Sequence, residues 1–312
     1  MDHELNYYEI EPENNTFTNV YVDITHRCNM ECANCYLPAR DFNDMDFEKY
    51  REFVKRLAVP DNAPGTSCML RIVGAEPTLH PRVFDFIDTA HEFGHRTILM
   101  TNGLRLAKDS FMKKMMDSPC RQIYLSMNGV DNDDWYEKID NLRCAEKKVK
   151  ALENIGNNFI LDTGTILMKG INESAIGKQV ELLKSKGIKN VSIRLRNVGQ
   201  LGRYTLESKQ NLTLMDIARL TSQQLNIPLE YIISFAGKGH RYGGKIECNT
   251  LEFPLDIGNT NRYKGYWIKI TSWDSNNPSG IPDPNSSVRG RITQDWKIAP
   301  FYEHLKANEH GY

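Results

Sequence analysis

Three cysteines crowd into one short stretch, Thr25-His26-Arg27-Cys28-Asn29-Met30-Glu31-Cys32-Ala33-Asn34-Cys35-Tyr36, with the spacing C-x3-C-x2-C. Thiolates so spaced can converge on one point from a tight loop. A structural zinc normally takes four protein ligands in a closed tetrahedron. An iron–sulfur cube has four irons to ligate. Three cysteines would leave one iron open to an outside ligand, and a small molecule bound there can be reduced. A zinc site completed by His26, or three unrelated thiols, are the other readings. The next cysteine is Cys68, so the loop holds no fourth. Cys68, Cys120 and Cys144 read as small buried hydrophobes.

The loop needs elements to position it. Val20–Ile24, before it, is apolar and β-branched and reads as a strand. Further strands are expected at Met69–Val73, Arg96–Met100, Gln122–Met127, Phe159–Leu167 and Asn190–Leu195. Helices with 3.6-residue apolar spacing are expected at Asp46–Leu57, Val83–Phe93, Ser110–Met116, Leu142–Ile155 and Ser174–Lys186. Six strands alternating with helices imply a parallel sheet with right-handed crossovers. Six units are too few for a closed eightfold barrel, so the fold class expected is α/β, a partial (β/α)6 TIM barrel. The cysteine loop and the turns at Gly74, Thr101-Asn102-Gly103 and Asn128-Gly129 all follow strands. They gather at the carboxyl edge of the sheet, where α/β folds place ligands. Past residue 205 the pattern changes. A helix at Leu214–Leu225 precedes strand-like runs at Leu229–Ile233, Lys245–Cys248, Leu251–Ile257 and Tyr266–Ile270. A turn-rich loop, a hairpin over Gly290–Ile298 and a short helix over Pro300–Ala307 follow. The domains expected are an extension over 1–19, a core over 20–204, and a smaller C-terminal α+β region over 205–312 covering the open side of the sheet.

The loop Cys28-x3-Cys32-x2-Cys35-Tyr36 after a strand resembles the signature of the radical S-adenosylmethionine (radical SAM) superfamily. Gly74-Ala75-Glu76-Pro77 resembles its Gly-Gly-Glu-Pro motif, with Ala75 for the second glycine. Thr101-Asn102-Gly103 resembles its Thr-Asn-Gly. Ser126-Met127-Asn128-Gly129 resembles its Ser-Leu-Asp-Gly, with Asn128 for the aspartate. Leu167-Met168-Lys169-Gly170-Ile171-Asn172-Glu173 is also similar to this family. The set runs in order over residues 18–203, which makes it far more specific than one short motif. The resemblance implies one [4Fe–4S] cluster on Cys28, Cys32 and Cys35, with S-adenosylmethionine (SAM) chelating the open iron. One electron then cleaves SAM, and the 5′-deoxyadenosyl radical takes a hydrogen atom from the substrate. It also implies an electron donor such as flavodoxin or ferredoxin. Gly74 would let the backbone approach the methionine moiety closely, with Ala75 beside it. Glu76 would accept from the SAM ammonium. Backbone near Tyr36 would meet the adenine. Thr101 and Asn102 count among the cofactor contacts, and Ser126 and Asn128 would bond the ribose or carboxylate. Arg194 or Arg196 would pair with the carboxylate. Taken alone, Thr101-Asn102-Gly103 is an ordinary strand-end turn, and the two arginines are solvated or salt-bridged.

The stretch Arg289-Gly290-Arg291-Ile292-Thr293-Gln294-Asp295-Trp296-Lys297-Ile298-Ala299-Pro300 resembles a hairpin of the GTP cyclase of molybdenum-cofactor synthesis and its relatives. There, flanking cysteines hold a second cluster. Here Pro300 precedes Phe301, and Cys248 is the only cysteine beyond Cys144. A single cluster is therefore expected, and GTP cyclisation is disfavoured. Arg71, Arg289 and Arg291 match positions that contact the anionic substrate in that enzyme, and suggest a phosphate or carboxylate; the bland reading of the hairpin pair is surface charge. The loop His240 to Lys245 reaches a substrate or is merely a turn. Some radical SAM epimerases use a lone cysteine to return a hydrogen atom, which makes Cys248 a catalytic candidate against a plain buried thiol.

Composition bounds these readings. The chain has 312 residues, 40% apolar and 25% charged, so it is not a disordered chain. Lys+Arg number 39 and Asp+Glu 40, a formal charge of −1. Such balance disfavours duplex nucleic acid held through phosphates. No run approaches the roughly 18 apolar residues of a membrane span, and residues 1–19 lack a signal-peptide core. A cytoplasmic protein is expected, its cysteines thiols or ligands. The leading expectation is a radical SAM enzyme acting on a small polar, anionic or nucleotide-like molecule by epimerisation, dehydrogenation or rearrangement. A peptide- or nucleic-acid-modifying enzyme is the runner-up. About eighteen residues precede the first strand, too few for a peptide-recognition domain. A zinc-stabilised binding module and a family member that binds SAM without cleaving it are the remaining readings.

Overall fold

The structure, a computed structural model, describes residues 8–33, 35, 43–198, 211–236, 241–242, 245–246, 250–272 and 289–301. In chain order the first elements are β1 (Asn19–Asp23), α1 (Phe47–Arg56), β2 (Met69–Val73), α2 (Val83–Glu92), β3 (Arg96–Thr101), α3 (Asp109–Asp117) and β4 (Gln122–Ser126). Then come α4 (Asp133–Asp140), α5 (Ala145–Ile155), β5 (Ile160–Ile166), α6 (Ala175–Ser185) and β6 (Val191–Arg196). The C-terminal part adds α7 (Leu214–Leu225), α8 (Leu229–Ile233), β7 (Arg241–Tyr242), β8 (Lys245–Ile246), β9 (Thr250–Pro254), β10 (Tyr266–Thr271), β11 (Arg289–Ile292) and β12 (Ile298–Pro300).

Ten strands form one sheet in the order β12-β11-β1-β2-β3-β4-β5-β6-β10-β9. Strands β1 to β6 pair parallel, as do β1 with β11 and β6 with β10. The outermost pairs, β9 with β10 and β11 with β12, are antiparallel. This is the mostly parallel α/β sheet of a partial TIM barrel. The described C-terminal strands lengthen the sheet at both edges.

Side chains alternate across each strand with period two. Val20, Val22, Leu70, Ile72, Leu99, Ile123, Leu125, Leu161, Ile193 and Leu195 form the outward layer, packed against the helices. Each such side chain, fully buried, stabilises by roughly 1.5–3 kcal/mol. The inward layer is mixed: apolar Met69, Ile98 and Met100 stand among the polar Asn19 and Asp23 on β1, Arg71 on β2, Gln122 on β4, Asp162 on β5, and Ser192 and Arg194 on β6. One side of the sheet therefore holds the fold, and the other lines a lumen.

Four elements differ from the sequence expectation. Leu229–Ile233 is a short helix, not a strand. Five apolar residues carry no distinguishing period; Pro228 caps the turn, and Tyr231 donates to the Pro254 carbonyl at 3.2 Å. Helix α4 was not expected, although Asn132 caps it by accepting from the Trp135 amide at 3.0 Å. Asn141 ends α4 in the left-handed region (φ 53), so the helix expected from Leu142 begins only at Ala145. Pro300, expected to open a helix, lies on β12; residues 302–307 of that helix fall outside the described residues.

Candidate active site

The loops after β1 and β2 are stitched together by backbone. Ile24 donates to Val73 at 3.0 Å, Ala75 to Thr25 at 2.9 Å, and Glu76 to Arg27 at 2.8 Å. Gly74 sits between them with φ +145, and a Cβ there would stand 2.3 Å from the Thr25 carbonyl oxygen. The close approach that demands glycine is thus made to the cysteine loop itself. The returning limb is tied to the same place. Thr25 Oγ1 donates to Asp44 Oδ1 at 2.6 Å, Arg27 Nη2 to Asp44 Oδ2 at 2.5 Å, and the His26 amide to the Asn43 carbonyl at 2.9 Å.

Glu76 is fully buried (0% exposed) and its carboxylate is a clamp. Oε1 accepts from the Thr78 amide (3.0 Å), the Thr78 hydroxyl (2.5 Å) and the Thr101 hydroxyl (2.7 Å). Oε2 accepts from the Asn102 amide at 2.7 Å. Asn102 continues the chain of contacts: its Nδ2 donates to Asn29 Oδ1 at 2.8 Å, inside the cysteine loop. The turns after β2 and β3 are thereby fixed to the loop after β1.

Cys28, Cys32 and Cys35 are free thiols, each partly exposed. Cys35 donates its amide to the Cys32 carbonyl (3.2 Å), and the Met30 amide donates to Cys28 Sγ (3.4 Å). Cys28 and Cys32 pack on Met30, Leu104, Tyr136 and Cys144. Among the described residues no three Cys, His, Asp or Glu side chains form a group that could hold a single metal ion. A cube makes no such demand, since each thiolate takes its own corner iron. Three unbridged soft donors on one loop therefore fit an iron–sulfur cluster. Burial pushes the Cys32 thiol well above its ordinary pKa, and the neighbouring Asp140 adds to the shift. The thiolate is disfavoured until a metal takes the proton's place.

Ser126 and Asn128 leave the end of β4. Ser126 is partly exposed; Asn128 is buried and fully engaged. Asn128 Nδ2 donates to Asp140 Oδ1 at 2.8 Å, and its Oδ1 accepts from the Ile166 amide at 2.9 Å. Asn172, in the motif after β5, donates to the Asn128 and Ile166 carbonyls at 2.9 and 2.8 Å. Lys148 Nζ donates to the Ser126 carbonyl at 2.9 Å.

The arginines face the lumen. Arg194 pairs with Asp162 Oδ2 at 2.7 Å and lies over the Tyr124 ring, as does Arg196 nearer the rim. Arg291 pairs with Asp23 Oδ2 at 2.8 Å, and burial raises the Asp23 pKa against that pairing. Arg289 Nη1 donates to the Tyr21 hydroxyl at 3.3 Å. Arg71, 5% exposed, gives Nε to Asn19 Oδ1 at 3.1 Å and stands 5.4 Å over the Tyr21 ring. A cavity of about 580 Å³ opens into the lumen from the amino ends of the strands, with Arg71 and Arg194 in its wall. Arg71 and Arg289 meet at the Tyr21 ring, with Arg291 opposite Tyr21 on the neighbouring strand, though 218 to 220 residues separate Arg71 from the pair; Arg289 and Arg291 are not in the cavity wall. Tyr36 and Cys248 lie outside the described residues. Sequence reading missed Asp44, Tyr124, Asp140 and Lys148; the Asn132 cap and Asn141 stop of α4 were the available signal for Asp140.

Residues 22–193 match the family model described as the radical SAM superfamily. A 7,8-dihydro-6-hydroxymethylpterin dimethyltransferase of Methanocaldococcus jannaschii is 23% identical over 215 residues, covering 65% of this chain and 41% of that protein. A GTP 3′,8-cyclase of Staphylococcus haemolyticus is 29% identical over 191 residues, covering 57% of this chain and 54% of that protein. The chain spans about half the length of the curated relatives it matches. Among solved structures, Streptococcus suis SuiB bound to S-adenosylmethionine superposes with TM-score 0.55 at 18% identity, covering 70% of this chain and 48% of that one. The anSMEcpe structure with bound AdoMet and Kp18Cys peptide gives 0.53 at 20% identity, covering 67% and 59%. At these identities the likeness is one of fold. No helix among the described residues is long and apolar enough to cross a membrane.

Proposed function

The chain belongs to the radical SAM superfamily, and on that premise we propose that it cleaves S-adenosylmethionine reductively and takes a hydrogen atom from a small anionic substrate held in the lumen. Members of the family use a [4Fe–4S] cluster and SAM. When bound, the cluster supplies the electron for that cleavage, delivered by a donor such as flavodoxin or ferredoxin. Cys28, Cys32 and Cys35 hold three of its corners. Glu76, its oxygens committed to protein donors, shapes the turn whose backbone at Gly74 and Ala75 receives the methionine end of SAM. The Ser126 hydroxyl meets the nucleoside, and Asn128 holds that strand end in place. Arg196, near the rim, faces the SAM carboxylate. Arg71, Arg194 and Arg291 face the substrate, where a guanidinium fork suits carboxylate or phosphate.

The observation that carries this reading is the continuous stitching of the cysteine loop to the strand-end turns after β2 and β3. It supports a cluster site at the carboxyl ends of strands whose inward positions carry arginines. Anaerobic reconstitution is expected to give a brown protein with about four irons per chain. With a reductant and SAM it should release 5′-deoxyadenosine. Cys32→Ala should lose most of the iron and all of that release. A reconstituted wild-type chain with zinc and no iron would remove the proposal.

A further inference from the structure

Two opposite charges are buried behind the cysteine loop, on elements the cofactor motifs do not include. Asp140 closes α4 and Lys148 lies on α5, and both are 0% exposed. Burying an ion costs several kcal/mol unless it is paired and hydrogen-bonded, so such a pair calls for a use. Asp140 Oδ1 accepts from Asn128 Nδ2 at 2.8 Å. Its Oδ2 is buried with no hydrogen-bond partner among the described residues, and the carboxylate is close enough to Cys32 for its charge to act on the thiol. The backbone repeats the link next door: the Ala33 amide donates to the Ile139 carbonyl at 3.0 Å. Lys148 Nζ bonds the Ser126 carbonyl at 2.9 Å and stands 5.2 Å over the Tyr136 ring. The two charges therefore stand beside the cysteine loop on one side and hold the Ser126–Asn128 strand end on the other.

We propose that Asp140 and Lys148 are positioning residues of the cluster: Asp140 seats Cys32 and sets the field at the iron on its corner, and Lys148 is the buried counter-charge that balances it. The inference rests on the reading of Cys28, Cys32 and Cys35 as cluster ligands. The second partner of a ligand sulfur orients it and tunes the metal's potential. Reduction adds one negative charge to the cluster. A carboxylate beside Cys32 opposes that charge, and a buried ammonium favours it, both weakly screened.

The test is a potentiometric titration of the reconstituted holoenzyme, followed by electron paramagnetic resonance. Asp140→Asn keeps the shape and the Asn128 bond, and its midpoint should move to a more positive potential. Lys148→Met keeps the apolar stem, and its midpoint should move more negative. The double variant should return toward wild type, because the opposite effects of the two charges on the reduced cluster cancel. Lys186→Met, which removes an exposed partner of Glu153, should leave the midpoint unmoved. If Asp140→Asn does not fold, Lys148→Met compared with the double variant carries the same sign test. A folded Asp140→Asn protein that loses iron to a chelator faster than wild type also supports the assignment. Loaded variants sharing the wild-type midpoint and spectrum overturn it. A wild-type chain that holds no iron overturns instead the reading on which it rests.

Discussion

At the scale of single residues, the candidate site is held by groups whose bonding capacity is spent on protein. Glu76 accepts from four donors, two of them backbone amides. Glu76→Gln would turn an NH2 toward those donors and leave at least one buried donor without an acceptor, at about 1–3 kcal/mol each. Urea unfolding should therefore show a loss on the order of 3 kcal/mol. Thr101→Val, which removes the hydroxyl's bond to Glu76 and the acceptor for the Gly103 amide, should lose about 2 kcal/mol. Equal stability of Glu76→Gln and wild type would mean that the clamp contributes nothing. Gly74→Ala acts differently. Its φ of +145 and the 2.3 Å approach to the Thr25 carbonyl force the two loops apart. Backbone strain alone costs roughly 1–3 kcal/mol. The variant should retain iron poorly as well as unfold early, because the same backbone carries the cysteines.

At the scale of elements, what the sequence disclosed follows from how locally each signal is encoded. The first six strands are legible because strands buried on a parallel sheet are short apolar runs ended by turn residues, as in Met69–Val73 before Gly74. Cys28, Gly74, Thr101 and Ser126 are legible because each lies within a short motif at a strand end. Asp140 and Lys148 are not, since they come beside the cysteine loop only after the chain has passed through three further βα units. Leu229–Ile233 is ambiguous by length alone, and packing against Phe253 decides it. The turn joining β2 to α2 also makes a pH prediction. His80 Nδ1 accepts from the Arg82 amide at 3.0 Å, and burial lowers the His80 pKa. Burial lowers those of His91 and His95 as well. Below the ordinary imidazole value of about 6.5 the unfolded chain takes up protons before the folded one. Stability should be full above that pH and fall as pH drops below it. His80→Asn, which keeps an acceptor for Arg82, should flatten the thermal-unfolding slope between about pH 6.5 and 5. An unchanged slope would put the titration elsewhere.

At the scale of the whole molecule, near-neutral charge hides a sorting of charge. Arg71, Arg194, Arg196, Lys269, Arg289 and Arg291 stand on inward strand positions, against the carboxylates Asp23, Asp162 and Glu252. The formal total is −1, so the rest of the chain is net acidic. The wider sheet produces this arrangement. Strand β11 lies parallel to β1 in the register Tyr21↔Arg291, and β2 follows on the other side with Tyr21↔Arg71. Two arginines far apart in sequence thus flank one tyrosine, and β10 sets Lys269 beside Arg194 in the same way. A low-dielectric interior with surplus positive charge attracts anions more strongly than the same groups on a surface. Inorganic pyrophosphate is a minimal probe of that interior. Calorimetry should show saturable binding that weakens as salt rises. Arg71→Met should weaken it about tenfold, the effect of losing one charge-assisted hydrogen bond of about 1.4 kcal/mol. Arg143→Met, on the exposed bridge to Asp134 and Glu137, should leave it unchanged. Equal weakening by both substitutions would assign the binding to diffuse surface charge. A lumen without pyrophosphate affinity would leave the anionic substrate without a physical basis.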